Sequence, residues 1–205
     1  MINNIEQIKE LLNFSEPGDF YMLYVFKRKK DQPEDERDNH QSVRTIKTYC
    51  IESSEHLDRR YDEIKQLCEM FKARAYIHVQ KQNHAEVSLN MLADLAIRIK
   101  NGSHNQKGLF DSTVGQIKTN EKRWIVDIDT KDEIIVHRIA HIIDQVKPEG
   151  PKLITCIPTK NGYHLITKRF DTMEFSKYMK LHGDVPDIQK KNPTLLYYPE
   201  SLENC

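Results

Sequence analysis

One stretch constrains the fold more than any other. Arg123 to Asp129 reads Arg-Trp-Ile-Val-Asp-Ile-Asp, an aromatic and β-branched run that favours a strand. Thr130 and Glu133 follow with the spacing of a capping box, which predicts a helix to about Val146. Ile135, Ile139, Ile142 and Val146 recur on one face of that helix, and Pro148, Gly150 and Pro151 stop it. Lys-Leu-Ile-Thr-Cys-Ile reads as a second strand. Asn161-Gly162 is a turn signal, with Gly162 expected at positive φ, so Tyr163 to Lys168 returns as a hairpin partner. Asp171 to about Leu181 is helical in pattern, and Pro-Thr-Leu-Leu-Tyr-Tyr-Pro is a last strand. The order is β-α-β-β-α-β, the ferredoxin-like or RRM-like unit of an α+β fold.

The first half predicts helix, strand, strand, helix, strand, helix. Ser54 to Lys72 places Leu57, Tyr61, Ile64, Cys68 and Phe71 on one stripe. Ala75, Ile77 and Val79 alternate with Tyr76, His78 and Gln80, as in a half-buried strand. Lys27 to Gln41 reads as a long solvated hairpin loop. The irregular stretch after Lys100 suggests two parts of one compact unit, an N-terminal α/β subdomain over 1–102 and a catalytic subdomain over 103–205.

Composition removes several function classes. Lys and Arg number 31 and so do Asp and Glu, so overall basicity gives no argument for nucleic-acid binding. Seven glycines include no dinucleotide fingerprint and no P-loop. Four cysteines show no zinc spacing, a pattern of reduced thiols. No apolar run reaches membrane-helix length and no secretory leader is visible, so the expectation is a cytoplasmic protein without a membrane partner.

The expected sheet order is fourth, first, third, second strand. Asp127 and Asp129, two apart at the end of the first strand, then face the same way, beside His164 at the start of the third. Trp124 points to the opposite face. Asp187, in His-Gly-Asp-Val-Pro-Asp, is expected at the same rim. Three carboxylates suit Mg²⁺ or Mn²⁺, and their mutual repulsion is expected to raise the pKa of at least one. Thr159, Lys160, Asn161 and His164 offer donors and charge for phosphate oxygens. Strand-end aspartates also serve as turn or cap residues, and the turn also reads as an ordinary hairpin.

Taken together, Trp-Ile-Val-Asp-Ile-Asp, Pro-Thr-Lys-Asn-Gly-Tyr-His and Val185-Pro186-Asp187 resemble, in order, the three motifs of the primase-polymerase (archaeo-eukaryotic primase) superfamily. Tyr-Tyr-Pro-Glu-Ser-Leu after the third motif is also similar to that group. The resemblance covers Arg123 to Leu202 and departs at Pro186, where an apolar strand residue is usual. It implies metal-dependent, template-directed nucleotide addition in DNA replication or repair. Asp127, Asp129 and Asp187 would act on Mg²⁺ or Mn²⁺, and His164 on a nucleoside triphosphate. Implied partners are a single-stranded DNA template or primer-template, and a helicase or other replication protein.

Lys118, Lys122 and Arg123 approach the aspartate strand and are candidates for nucleic-acid phosphates. Lys27 to Lys30 read as a solvated run, and His137 and His141 as surface histidines. Two rivals stay open. One is a rolling-circle-type or metal-dependent nicking endonuclease, with His78 in Ile-His-Val-Gln-Lys faintly similar to a motif of the rolling-circle enzymes and Tyr178 the only tidy candidate for their nucleophilic tyrosine. The other is a non-catalytic nucleic-acid-binding module with a decayed site.

Overall fold

The structure, a computed structural model, describes residues 1–32, 43–103, 106, 108–117, 119 and 121–202. In chain order it contains β1 (Ile2–Asn3), α1 (Ile5–Leu11), β2 (Asp19–Arg28), β3 (Val43–Ile51), α2 (Ser54–Phe71), β4 (Arg74–His78), β5 (Gln82–Asn83), α3 (His84–Lys100) and α4 (Leu109–Gln116). There follow β6 (Arg123–Ile128), α5 (Glu133–Gln145), β7 (Leu153–Pro158), β8 (Tyr163–Lys168), α6 (Thr172–Met179), β9 (Asp187–Gln189) and β10 (Pro193–Tyr198). The architecture is α+β with antiparallel strand pairing. Most of the 27–41 loop expected from the sequence lies outside the described residues.

Two sheets form. The first runs β1-β10-β4-β2-β3 with β5 beside β2, and the second runs β7-β8-β6-β9. Alternation along the strands sorts the side chains into layers. Phe20 and Met22 of β2 pack outward with Val87 of α3 and Val114 of α4. Tyr21, Leu23 and Val25 face inward with α1, α2 and the inner residues of the second sheet, Ile125, Ile157 and Ile166. Trp124, Val126 and Ile128 of β6 face the other way, into a core with α5 and α6. The buried Asn4 side chain fastens the sheets together, donating to the carbonyls of Pro158 and Leu195 at 2.9 Å each.

Three local expectations are corrected. Pro193–Tyr198 is not the fourth strand of the second sheet. It inserts between β1 and β4 of the first, and the shorter Asp187–Gln189 takes the outer place beside β6. A strand from the C-terminal half thus completes the first sheet. Helix α5 begins at Glu133 with Asp132 as N-cap, its side chain accepting from the Ile134 amide at 2.9 Å. Thr130 instead accepts from the Asp132 amide at 3.2 Å and shapes the approach. Gly162 does not have positive φ. Its small size is needed for contact: a Cβ there would overlap the Ile128 carbonyl oxygen and sit 2.7 Å from the Thr130 nitrogen.

Candidate functional site

Asp127 is the penultimate residue of β6, and its odd position turns it away from the α5–α6 core. Two strands flank it. His164 is its register partner on β8 and Asp187 its register partner on β9. Pro186 has no N–H to add to a ladder, so β9 begins at Asp187, directly opposite Asp127. Directly opposed residues hold their Cβ atoms about 5 Å apart, and like charges there are destabilising. A neutral donor bridges the pair: Gln189 Nε2 donates to Asp127 Oδ2 at 3.1 Å and to Asp187 Oδ2 at 3.2 Å.

On the other side, His164 Nε2 lies 3.5 Å from Asp127 Oδ1, the outer range of a hydrogen-bonded ion pair. The ring is buried, and its Nδ1 meets the Thr194 hydroxyl of β10 at 2.9 Å. The imidazole beside Asp127 holds that carboxyl below the ordinary carboxylate value, against the opposing effect of burial. Gln189 and the charge of Arg28 add to the lowering. The expected raising by mutual repulsion therefore does not occur at Asp127.

At the end of β6 opens a cleft of about 550 Å³, with Asp127, Asp129, Asp184 and Asp187 on its rim and Arg138, Ile135 and Ile139 of α5 and Met179 of α6 in its walls. Asp129, one residue past β6, stands exposed on its wall. Four carboxylates against one guanidinium give the cleft a negative field that draws cations. Among the described residues, no group of three or more His, Cys, Asp or Glu side chains forms a ready-made metal cage. The donor set still fits Mg²⁺ or Mn²⁺, which take one or two carboxylates and complete their shell with water and substrate phosphates.

The remaining candidates are spread out. Thr159 closes its own turn, its hydroxyl accepting from the Gly162 amide at 3.1 Å. Lys160 holds its ammonium 5.3 Å from the centre of the Tyr198 ring, and Asn161 is exposed. Both ring nitrogens of His164 are engaged within the protein, rather than aimed at open space. Arg123 sits at the far end of β6, about 13 Å along the strand from Asp127. Its guanidinium donates to the Leu11 carbonyl at 2.8 Å and meets Glu121 at 3.4 Å, so it serves the fold. Lys122 is exposed, and Lys118 lies outside the described residues. His78 packs against the Tyr24 ring of the first sheet, and burial lowers its pKa to about 4. Tyr178 belongs to α6, which covers the second sheet.

Sequence reasoning missed Gln189, Thr194 and Arg138. Gln189 shares the period-two face of Asp187, a signal that three strand residues were too few to reveal. Thr194 and Arg138 reach the site only through tertiary placement. Comparison with family models, curated proteins and solved structures returned no match.

Proposed function

We propose that this chain is a primase-polymerase-like nucleotidyltransferase that adds nucleotides to a nucleic-acid strand on a template. In this reading β6 to β9 with α5 and α6 form the RRM-like catalytic module, and the first sheet is the accompanying subdomain. The reading rests on one observation above all. Asp127 and Asp187 are held directly opposite each other at the mouth of an acidic cleft that Asp129 also lines. A cation shared between the two carboxylates would relieve the part of their repulsion that the single Gln189 amide and His164 leave.

Asp127, Asp129 and Asp187 would hold Mg²⁺ or Mn²⁺. When bound, such an ion supplies charge neutralisation for a triphosphate and activation of a 3′-hydroxyl. His164 keeps Asp127 ionised and oriented, and Thr194 fixes the ring that does so. Arg138, on the cleft wall, supplies a fixed positive charge for phosphate oxygens. Thr159, Lys160 and Asn161 are assigned to the outer phosphates, on the turn that Gly162 presses against the end of β6. The substrates are a nucleoside triphosphate and a single-stranded template or primer-template, in the cytoplasm, beside a helicase or other replication protein.

Primer extension on a labelled template, with nucleotides and Mn²⁺ or Mg²⁺, tests the proposal. Wild type extends, and Asp127→Asn and Asp187→Asn each abolish extension while the proteins stay folded. Strand cleavage without nucleotides would assign the site to a nicking endonuclease. Metal-independent DNA binding without extension would assign the chain to binding alone.

A further inference from the structure

Helix α3 is apolar on the side that faces away from the protein. At about 100° per residue, Val87 and Met91 turn toward the first sheet and α4. The opposite half-turn carries Leu89, Leu92, Ala93, Ala96, Ile97 and Ile99, all exposed. Leu89 is 68% exposed, Leu92 64%, Ile97 57% and Ile99 53%. A contiguous exposed apolar patch of this kind marks an interaction surface.

The order of residues along this face identifies its occupant. Glu86 stands at its start and Lys100 at its end, both exposed, and neither forms a salt bridge among the described residues. A copy of the same helix laid antiparallel, with the two-fold axis between Leu92 and Ala93, meets it with matched size and charge. Leu92 then lies against Ala93 of the second copy, and Leu89 against Ala96. Both leucines find an alanine and Ile97 falls opposite Ser88, which permits a close approach of about 8–10 Å between axes, while Ile99 lies at the rim opposite Glu86. Lys100 lands beside Glu86 of the second copy, twice over by symmetry.

We propose that the chain forms a two-fold dimer through antiparallel pairing of α3. The contact is independent of the cleft at Asp127, because α3 covers the outer face of the first sheet. Four side chains more than half exposed on each copy bring the contact to about 1,000 Å² in total, the lower limit for a specific interface.

Sedimentation velocity on the full chain, up to about 100 µM, covers the micromolar range in which weak self-association is read. Wild type should shift from monomer to dimer over this range. Leu92→Arg, at an exposed position that leaves the fold intact, should stay monomeric with an unchanged circular dichroism spectrum. Glu86→Lys sets like charges opposed at both ends and should weaken the dimer roughly ten-fold. Combining it with Lys100→Glu should restore the wild-type Kd. The inference is overturned by a wild type that is monomeric throughout, by a dimer that persists in Leu92→Arg, or by a double variant that does not recover.

Discussion

Replacing Gly162 with alanine adds a single methyl group, and the structure fixes where it goes. The new Cβ would overlap the Ile128 carbonyl oxygen and approach the Thr130 nitrogen and oxygen to 2.7 and 2.8 Å. Non-bonded carbon contacts settle near 3.5–4.0 Å, so the turn must withdraw by an ångström or more. It is not free to do so. The Thr159 amide donates to the Gly162 carbonyl at 2.8 Å, the Gly162 amide donates to the Thr159 hydroxyl, and the next residue pairs with Ile128 in the β6–β8 ladder. Withdrawal therefore opens the end of that ladder, beside the Asp127–His164 pair. Overpacking against backbone that cannot relax belongs at the upper end of its usual range, about 3 kcal/mol. In a chain of this size that lowers the melting temperature by about 6–12 °C.

The same substitution at Gly115 is the control. Gly115 lies within α4, and a Cβ there meets nothing within 4 Å. Gly115→Ala should stabilise by about 0.5–1 kcal/mol, because alanine loses less backbone freedom in a helix. Calorimetry on wild type and both variants reads the two effects with opposite sign. Should Gly162→Ala melt within about 2 °C of wild type, the close approach is no constraint and the reasoning is wrong.

Three further outcomes are expected. Asp127 titrates below its ordinary 3.8, so its contribution to stability is complete above that value and is lost as pH falls through its lower folded value. His164→Ala removes the first cause of the lowering, so carboxyl NMR should show Asp127 rising toward its ordinary value; an unmoved titration refutes the pairing. Lys152 is buried and donates to the carbonyls of Ile143, Asp144 and Gly150 at 2.8, 3.0 and 3.1 Å, closing the end of α5. Lys152→Met strands those acceptors and should cost about 1–3 kcal/mol in urea unfolding, whereas a solvated lysine would cost nothing measurable. Burial pushes the Cys68 thiol up to about 12, so at pH 8 roughly one molecule in ten thousand carries the reactive thiolate. Native-state alkylation read by peptide mass spectrometry should label the half-buried Cys50 and Cys156 well before Cys68; equal rates would contradict its burial.

What was legible in the sequence is what physical chemistry writes locally. The Arg123–Ile128 strand and the existence of helices α2, α5 and α6 carry their signals within a few residues, whereas Phe71 and Ile135, read into the apolar stripes, are exposed. The pairing of Asp127 with His164 was legible too, because strand order and period-two alternation together dictate which residues become neighbours. The illegible parts depend on choices between compatible partners. Pro193–Tyr198 is a strand by composition in either sheet, and its pattern, buried on both faces after the proline, marks a central strand without saying of which sheet. Asp187–Gln189 is too short to show a period, so the strand that opposes Asp127 was hidden beside a proline. Gln189 is 62 residues from Asp127, and Thr194 is 30 residues from His164.

The displaced strand changes what the site is. His164 belongs to the second sheet, yet the hydroxyl that holds its ring comes from β10, whose neighbours β1 and β4 come from the first half of the chain. The Asn4 side chain bonds both β7 and β10 at the same junction. Orientation of the imidazole, and through it the ionised state of Asp127, thus depends on the two sheets being assembled together. A segment cut at 103 would keep every motif residue and lose the strands that hold β10 in place.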